Sequence, residues 1–413
     1  MGLRKRVILL FCVTLLAAAC RRETLARADE AEDPAATKVP IIRVRLLVEQ
    51  DKVMVAAAEA PTVDVGSGVK RLNFPAGTEV PVVRGPQGWQ VGNLALGGGD
   101  REMVLAPAAD GSVRVNGQVH RGRYRLVPVA QGKFDVINDV DLDSYLKGVL
   151  AKEIPERWGE EAFRAQAIAA RTYALYEART SGGQYWDVWA DTRSQVYGGI
   201  AGESPKARAA AEHTAGIVLA YGPSGHERIF KAYFSACCGG IGQSAQDALG
   251  DSDIPPLGAK YVGPLCNASE KFNWPPVVIK KDELTRRIRT WGARRGRSEK
   301  SMGRLARIDV AEVNRFGRPV RFQFTDERGA RYSLSGEEAR WACNADAKGG
   351  ATLLSSFFKP VSEKDAIRFA EGHGFGHGVG LCQWCTQALS EQGRAHEDIL
   401  RHAYPGAVLV RAY

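Results

Sequence analysis

Glu153 is the carboxylate whose placement raises a chemical question. It stands in "LAKEIPERWGEEAFRAQAIAARTYAL", residues 150–175, directly before Ile154-Pro155 and an Ala-rich run. An acid there is either an ordinary charge near a helix or a proton donor at the mouth of a cleft. A second stretch, "DVWADTRSQVYGG" (187–199), sets Asp187, Asp191, Gln195 and Tyr197 around Trp189. Rings stack on sugar faces while amides bond hydroxyls, so this mixture suits carbohydrate. A strand-end turn with buried aromatics explains it equally well. A third stretch, "GHGFGHGVGLCQWCTQAL" (372–389), carries His373 and His377 among glycines. Two histidines four apart chelate a metal from a helix, but a glycine run does not form one. The spacing also misses G-x-G-x-x-G with a distal acid, so a dinucleotide site is a poor fit. A tight loop with positive φ at its glycines accounts for the pattern.

Nucleophile signatures are missing. There is no G-x-S-x-G, and Cys382 near His377 belongs to a cysteine-rich chain in which oxidation or metal binding is the commoner fate. Of eight cysteines, Cys12 falls in an N-terminal apolar run and Cys20 directly after it. The remaining six are Cys237, Cys238, Cys266, Cys343, Cys382 and Cys385. An even number in an exported chain favours disulfides, with pairing unreadable from spacing. The alternative is a structural zinc held by Cys237, Cys238, Cys382 and Cys385. No cofactor is otherwise required.

These residues must be positioned by a chain of 413 residues, 45% hydrophobic and 25% charged, enough for two domains or one with large insertions. Arg4, Lys5 and Arg6 followed by "VILLFCVTLLAAA" read as a secretory signal over 1–19, too short for a good membrane span. The small residues before Cys20 resemble a lipoprotein box, so Cys20 is the expected lipidation site; ordinary signal cleavage nearby is the alternative. Residues 20–38 are a polar, Ala-rich tether. Localisation at the cell envelope follows, on the periplasmic side or outer surface, lipid-anchored to the membrane. A net charge of +9 suits an anionic envelope and is no argument for nucleic acid.

Residues 39–137 hold short β-branched runs broken by Gly, Pro and Asp, with a hairpin signal at Asn116-Gly117. Residues 138–220 turn helical, and Phe163, Ala167, Ala170 and Ala174 form an apolar stripe. "KKDELTRRIRTWGARRGR" reads as a solvated helix and basic loop, opening a basic and β-rich insertion over about 270–335. The expected fold class is α+β: a helical catalytic centre with a β-rich N-terminal region and β insertions.

Taken together, "DLDSYLKGVLAKEIPERWGEEAFRAQAIAARTYAL", "DTRSQVYGG", Gly239-Gly240 and "GHGFGHGVGLCQWCTQALSEQGRAHEDILRHAYPG" resemble the SpoIID/LytB domain. The likeness runs over about 40–410 and is densest within 138–250 and 370–408, making 138–413 the SpoIID-like catalytic region. Sporulation members of that family are lytic transglycosylases acting on peptidoglycan glycan strands, preferably stripped of stem peptides; others are described as amidase enhancers. The resemblance implies that Glu153, in the family's E-x-P motif, is the catalytic acid. It implies that Gln195 and Tyr197 (Q-x-Y) and His377, Gln383 and Trp384 line the cleft, with Gln166 and Arg171 supporting Glu153. One acid suffices, because the MurNAc 6-hydroxyl replaces water as nucleophile and no second carboxylate is needed. The expected partner is peptidoglycan glycan, with a cell-wall amidase as a second partner if the chain is instead a non-enzymatic enhancer. An amidase acting alone would need a metal or nucleophile site that these residues do not assemble. The chain departs from the family at Cys237-Cys238, at "CQWC", and at Trp189, Arg193 and Ser194, where some members bind zinc.

Overall fold

The first long strand, Ile41–Gln50, buries Ile42 and Val44 and pairs antiparallel with Lys133–Asp141, which also pairs with Arg123–Ala130. The computed structural model describes residues 38–413 apart from Ser67, Pro75, 109–111 and Gln131. The expected signal, tether and lipidation site at Cys20 lie outside the described residues.

Seven strands form one sheet in the order 188–189, 41–50, 133–141, 123–130, 103–106, 62–64, 69–71. Six more form a second, in the order 118–119, 113–115, 52–57, 80–85, 88–91, 94–98. Alternating β-branched residues from both meet in one core of Val53, Val55, Val82, Trp89, Met103, Tyr124, Leu126 and Phe134. The hairpin expected at Asn116-Gly117 is there. Both residues have positive φ (47° and 79°), as a two-residue primed turn needs, and Val115 pairs with Gln118.

The last strand of this region runs straight into α1 (Leu142–Glu153), with Asp141 as N-cap accepting from the Ser144 N–H at 2.9 Å. α2 (Glu160–Thr180) follows, then α3 (Pro205–His213), capped by Ser204 with Pro205 in its first turn. The stripe Phe163, Ala167, Ala170 and Ala174 is buried against Tyr145, Leu146, Val149 and Leu150 of α1. The other face of α2 (Ala165, Ile168, Ala169) packs into a second core with Leu219, Val379, Leu381, Ile399 and Tyr404. An Ala-rich helix is needed here because elements approach it on two sides. Strand Val408–Arg411 returns to pair with Ile217–Tyr221, so the end of the chain closes the centre.

After α4 (Ala245–Leu249), an inserted unit carries its own core. It contains α5 (Lys281–Arg294), a meander of 305–313, 319–326 and 331–335, α6 (Gly336–Asn344), and strands 357–362 and 366–373. Leu284, Ile288, Phe322, Phe324, Ala339, Phe358 and Phe369 share that core, which therefore reaches past residue 335. The solvated-helix reading of "KKDELTRRIRTWGARRGR" holds for exposed Arg289, Arg294 and Arg295 and is corrected for Arg286, Arg287 and Arg297. Arg287 is buried and donates to the Cys343 and Ala351 carbonyls and to Glu283. Arg286 joins Glu283 to Asp346, Arg289 donates to the Met302 carbonyl, and Arg297 pairs with Glu299 and Glu338. These guanidiniums hold the insertion together.

Two further helices, α7 (Gln383–Glu391) and α8 (His396–Ala403), follow the glycine loop. With eight helices and several sheets among the described residues, the molecule is α+β. No described helix is long and apolar enough to cross a membrane.

Candidate active site

Glu153 is the last residue of α1. The residue is half-buried. Oε1 accepts the main-chain N–H of Val196 at 2.9 Å, and Oε2 faces the Gln383 amide at 3.4 Å. Burial pushes its pKa above the usual carboxylate range, and the two donors pull in the opposite direction. The C-terminal end of α1, with its unpaired carbonyls, also disfavours a negative charge. The result is an acid that holds its proton longer than a surface glutamate, yet whose ionised form keeps two fixed donors.

Val196 is held by its neighbours. Gln195 and Tyr197 point into the protein on either side of it. The Tyr145 hydroxyl donates to Gln195 Oε1 at 3.0 Å, and Gln195 Nε2 reaches the Ala170 carbonyl at 3.3 Å. The Tyr197 hydroxyl donates to Asn138 Oδ1 at 3.1 Å, and its ring lies against Tyr145 and His120. Gly148 makes this close seat achievable. A Cβ there would meet the Tyr197 ring at 2.6 Å, and the Gly148 carbonyl accepts the Gly198 N–H at 3.0 Å.

Gln383 comes from the first turn of α7. The glycine loop before it runs beside the Gly239 turn, since Cys237 and Phe375 exchange main-chain hydrogen bonds of 2.8 and 3.0 Å. Gly378 and Gly380 have positive φ and no room for a side chain: a Cβ would meet the Arg318 guanidinium at 2.3 Å or the Tyr233 carbonyl at 2.0 Å. Trp384 is half-buried and packs edge-on against Trp158 at 5.2 Å.

Residues 130–221, which hold both Glu153 and the Gln195–Tyr197 segment, match the family model described as Stage II sporulation protein. The chain is 26% identical to an uncharacterized protein of Brachyspira hyodysenteriae, over 87% of this chain and 92% of that one. It is also 26% identical to an amidase enhancer of Bacillus subtilis, over 64% of this chain, and spans only 40% of that protein's length. A third relative, Stage II sporulation protein D of Bacillus amyloliquefaciens, is 26% identical over 69% of this chain and 79% of its own. The chain is similar to the SpoIID/LytB family through the matched segment 130–221 and through these relatives.

The residues expected to line a cleft divide into two groups. Glu153 and Gln383 meet, and Trp384, next to Gln383 in the chain, packs on Trp158. Gln195 and Tyr197 are corrected from cleft lining to interior, because both are buried and hydrogen-bonded within the fold. Their tripeptide reaches Glu153 through the N–H of its middle residue. Arg171 does not support Glu153 either. It is fully buried and its guanidinium is held by Asp143, Thr214, Tyr413 and the Ala211 and Ile217 carbonyls. Gln166 is fully buried on α2 and its amide has no partner among the described residues. The His377 ring accepts the Val379 N–H at 3.0 Å and packs edge-on to Tyr233, and burial depresses its pKa to about 4. It braces the glycine loop.

Val196 was invisible in the sequence because a main-chain donor has no residue-type signature. Tyr145 and Tyr173, whose phenols lie close enough to feel the Glu153 charge, were also passed over. Tyr145 sits eight residues before Glu153 on the buried side of α1, a spacing that a helical reading of 142–153 could have flagged. No disulfide joins any two of the six described cysteines. The sulfurs that converge are those of Cys238, Cys266, Cys382 and Cys385. Cys266 thus takes the place expected for Cys237.

Proposed function

We propose that this protein is an exported lytic transglycosylase of the cell wall, cleaving MurNAc–GlcNAc glycan to 1,6-anhydro-MurNAc ends with Glu153 as its acid and base. The observation that carries the reading is the seat of Glu153 at a helix C-terminus, its pKa raised by burial and its carboxylate aimed by Val196 and Gln383. Protonated Glu153 gives its proton to the glycosidic oxygen as the C1–O bond breaks. The resulting carboxylate then takes the proton of the MurNAc 6-hydroxyl as that oxygen closes on C1. The same carboxyl acts twice, so its pKa must suit both roles. Burial favours the acid, while the Val196 N–H and the Gln383 amide favour the conjugate base. Half-buried Trp384, next to Gln383 in the chain, offers a ring for sugar stacking.

The substrate is peptidoglycan glycan, with strands stripped of stem peptides as the preferred form. The envelope setting, lipid-anchored through Cys20, belongs to this same proposal. The likeness to a protein named amidase enhancer favours one other reading, in which the cleft binds glycan without cutting it and stimulates a cell-wall amidase.

Digesting purified peptidoglycan, with and without stem peptides, separates the two. Anhydro-MurNAc ends produced by the protein alone support the enzyme. Release of stem peptides only when an amidase is added, with no anhydro ends, rejects it in favour of the enhancer.

A further inference from the structure

We propose that Cys238, Cys266, Cys382 and Cys385 bind one divalent cation of the zinc class as a tetrathiolate, and that this ion fixes the "CQWC" turn against Glu153. The four sulfurs lie within 4.8 Å of one another. Cys238 Sγ is 3.6 Å from Cys266 Sγ and 4.0 Å from Cys385 Sγ. Tetrahedral zinc–sulfur bonds of about 2.3 Å set sulfurs roughly 3.8 Å apart, so the spacing is that of one shared centre. An iron–sulfur cluster needs its sulfurs much further apart. Cys238 stands within 4.0 Å of two partner sulfurs at once, which suits a common ligand better than a pairwise bond.

Three separate pieces of chain supply the ligands: the turn before Gly239, the short helical turn Gly263–Cys266, and the start of α7. All four are buried, with exposures of 0% for Cys266, 3% for Cys238 and Cys385, and 7% for Cys382. The surroundings suit anionic sulfur. Cys382 Sγ accepts the Cys238 N–H at 3.3 Å, and Cys382 and Cys385 occupy the N-terminal end of α7, where free N–H groups favour negative charge. Lys260 lines the same small cavity as Cys238, Cys382 and Cys385, and Arg318 donates to the Cys238 carbonyl at 3.0 Å. These two cations offset a dianionic centre. Cys237 faces the Cys266 carbonyl at 4.0 Å and stands outside the group, and Cys343 belongs to the core of the insertion.

The consequence for the site lies in the two residues between the last ligands. Gln383 and Trp384 are flanked by Cys382 and Cys385, so an ion gripping both cysteines holds Gln383 in reach of Glu153. Gln383 is then a positioning residue whose own position is set by the metal. Only this last link rests on the function proposed above.

The test is metal analysis of the chain purified without chelators, alongside its mass under non-reducing conditions. One zinc per chain is expected. Cys266→Ser and Cys385→Ser should each lower zinc content at least tenfold, while Cys237→Ser and Cys343→Ser keep it. Should the ligand variants fail to fold, cobalt substitution of the wild-type chain decides, with the visible bands of a tetrahedral tetrathiolate expected. Stoichiometric iron, a mass two hydrogens lower per bond with no metal, metal-free thiols that refuse added zinc, or zinc lost from Cys237→Ser but kept by Cys266→Ser would each overturn the site. Failure of glycan cleavage with zinc present would count against the proposed function and leave the metal site standing.

Discussion

Glu153 Oε1 receives the main-chain N–H of Val196 at 2.9 Å, across 43 residues of sequence. The two side chains flanking Val196, Gln195 and Tyr197, are anchored inside the protein, so the donor is fixed from both sides. A rigid donor aligned with one carboxylate oxygen orients the acid without neutralising it by an ion pair.

Glu153→Gln should lower glycan cleavage by about 10²–10⁴-fold, the usual contribution of a positioned acid or base, with binding of glycan largely kept. It should also raise the melting temperature at neutral pH. The folded pKa of Glu153 is raised, so ionising it costs stability as pH rises from the unfolded value of 4.5 through the folded one. Below that window both states hold the proton and the gap between variant and wild type should close. Thermal melts at several pH values check this, and a variant less stable at neutral pH would contradict it.

Gln383→Leu removes a donor that favours the ionised carboxylate. The pKa of Glu153 should rise, and the alkaline limb of the pH–rate profile should move to higher pH. The turnover rate should fall by about tenfold, consistent with one hydrogen bond to a charged group, while KM changes little. A change confined to KM would make Gln383 a substrate contact.

Tyr145→Phe leaves the buried Gln195 Oε1 without its donor and should cost about 1–3 kcal/mol of stability. Tyr197→Phe removes the donor to Asn138 and should cost about 1 kcal/mol. Denaturant melts measure both. If either variant instead kept full stability and lost affinity for glycan, that side chain would belong to the cleft after all.

Burial holds both His120 and His377 neutral, with pKa values depressed to about 4. The unfolded chain takes up those protons near pH 6.5, so the fold should lose stability as pH falls from about 6.5 toward 4. Histidine NMR titration should show the rings of His120 and His377 still neutral at pH 5.5, with His373 and His402 also shifted downward by burial. Ordinary titration of all histidines would refute this.

Much of this was readable before the fold was known. The alanine stripe of α2 has to face a close neighbour, and Asn116-Gly117 has few uses besides a hairpin. Glu153 was found through a family motif, and the arrangement around it supplies the physical reason that spacing lacked. The Q-x-Y segment misled because polar aromatics suit both a sugar cleft and a buried network, and only the partners Tyr145 and Asn138 decide. Arg286 and Arg287 of α5 looked solvated because their carboxylate and carbonyl partners lie up to 64 residues away. Cys266 was overlooked as a ligand for the same reason: it stands alone in sequence, and only the short helical turn ending at Cys266 brings it to the others.

The most direct test is digestion of stem-peptide-free glycan in heavy-oxygen water by wild type and Glu153→Gln, with products weighed by mass spectrometry. Intramolecular attack by the 6-hydroxyl predicts anhydro-ended fragments from wild type alone, carrying no oxygen from solvent. Reducing ends bearing solvent oxygen, or equal cleavage by Glu153→Gln, would contradict the account.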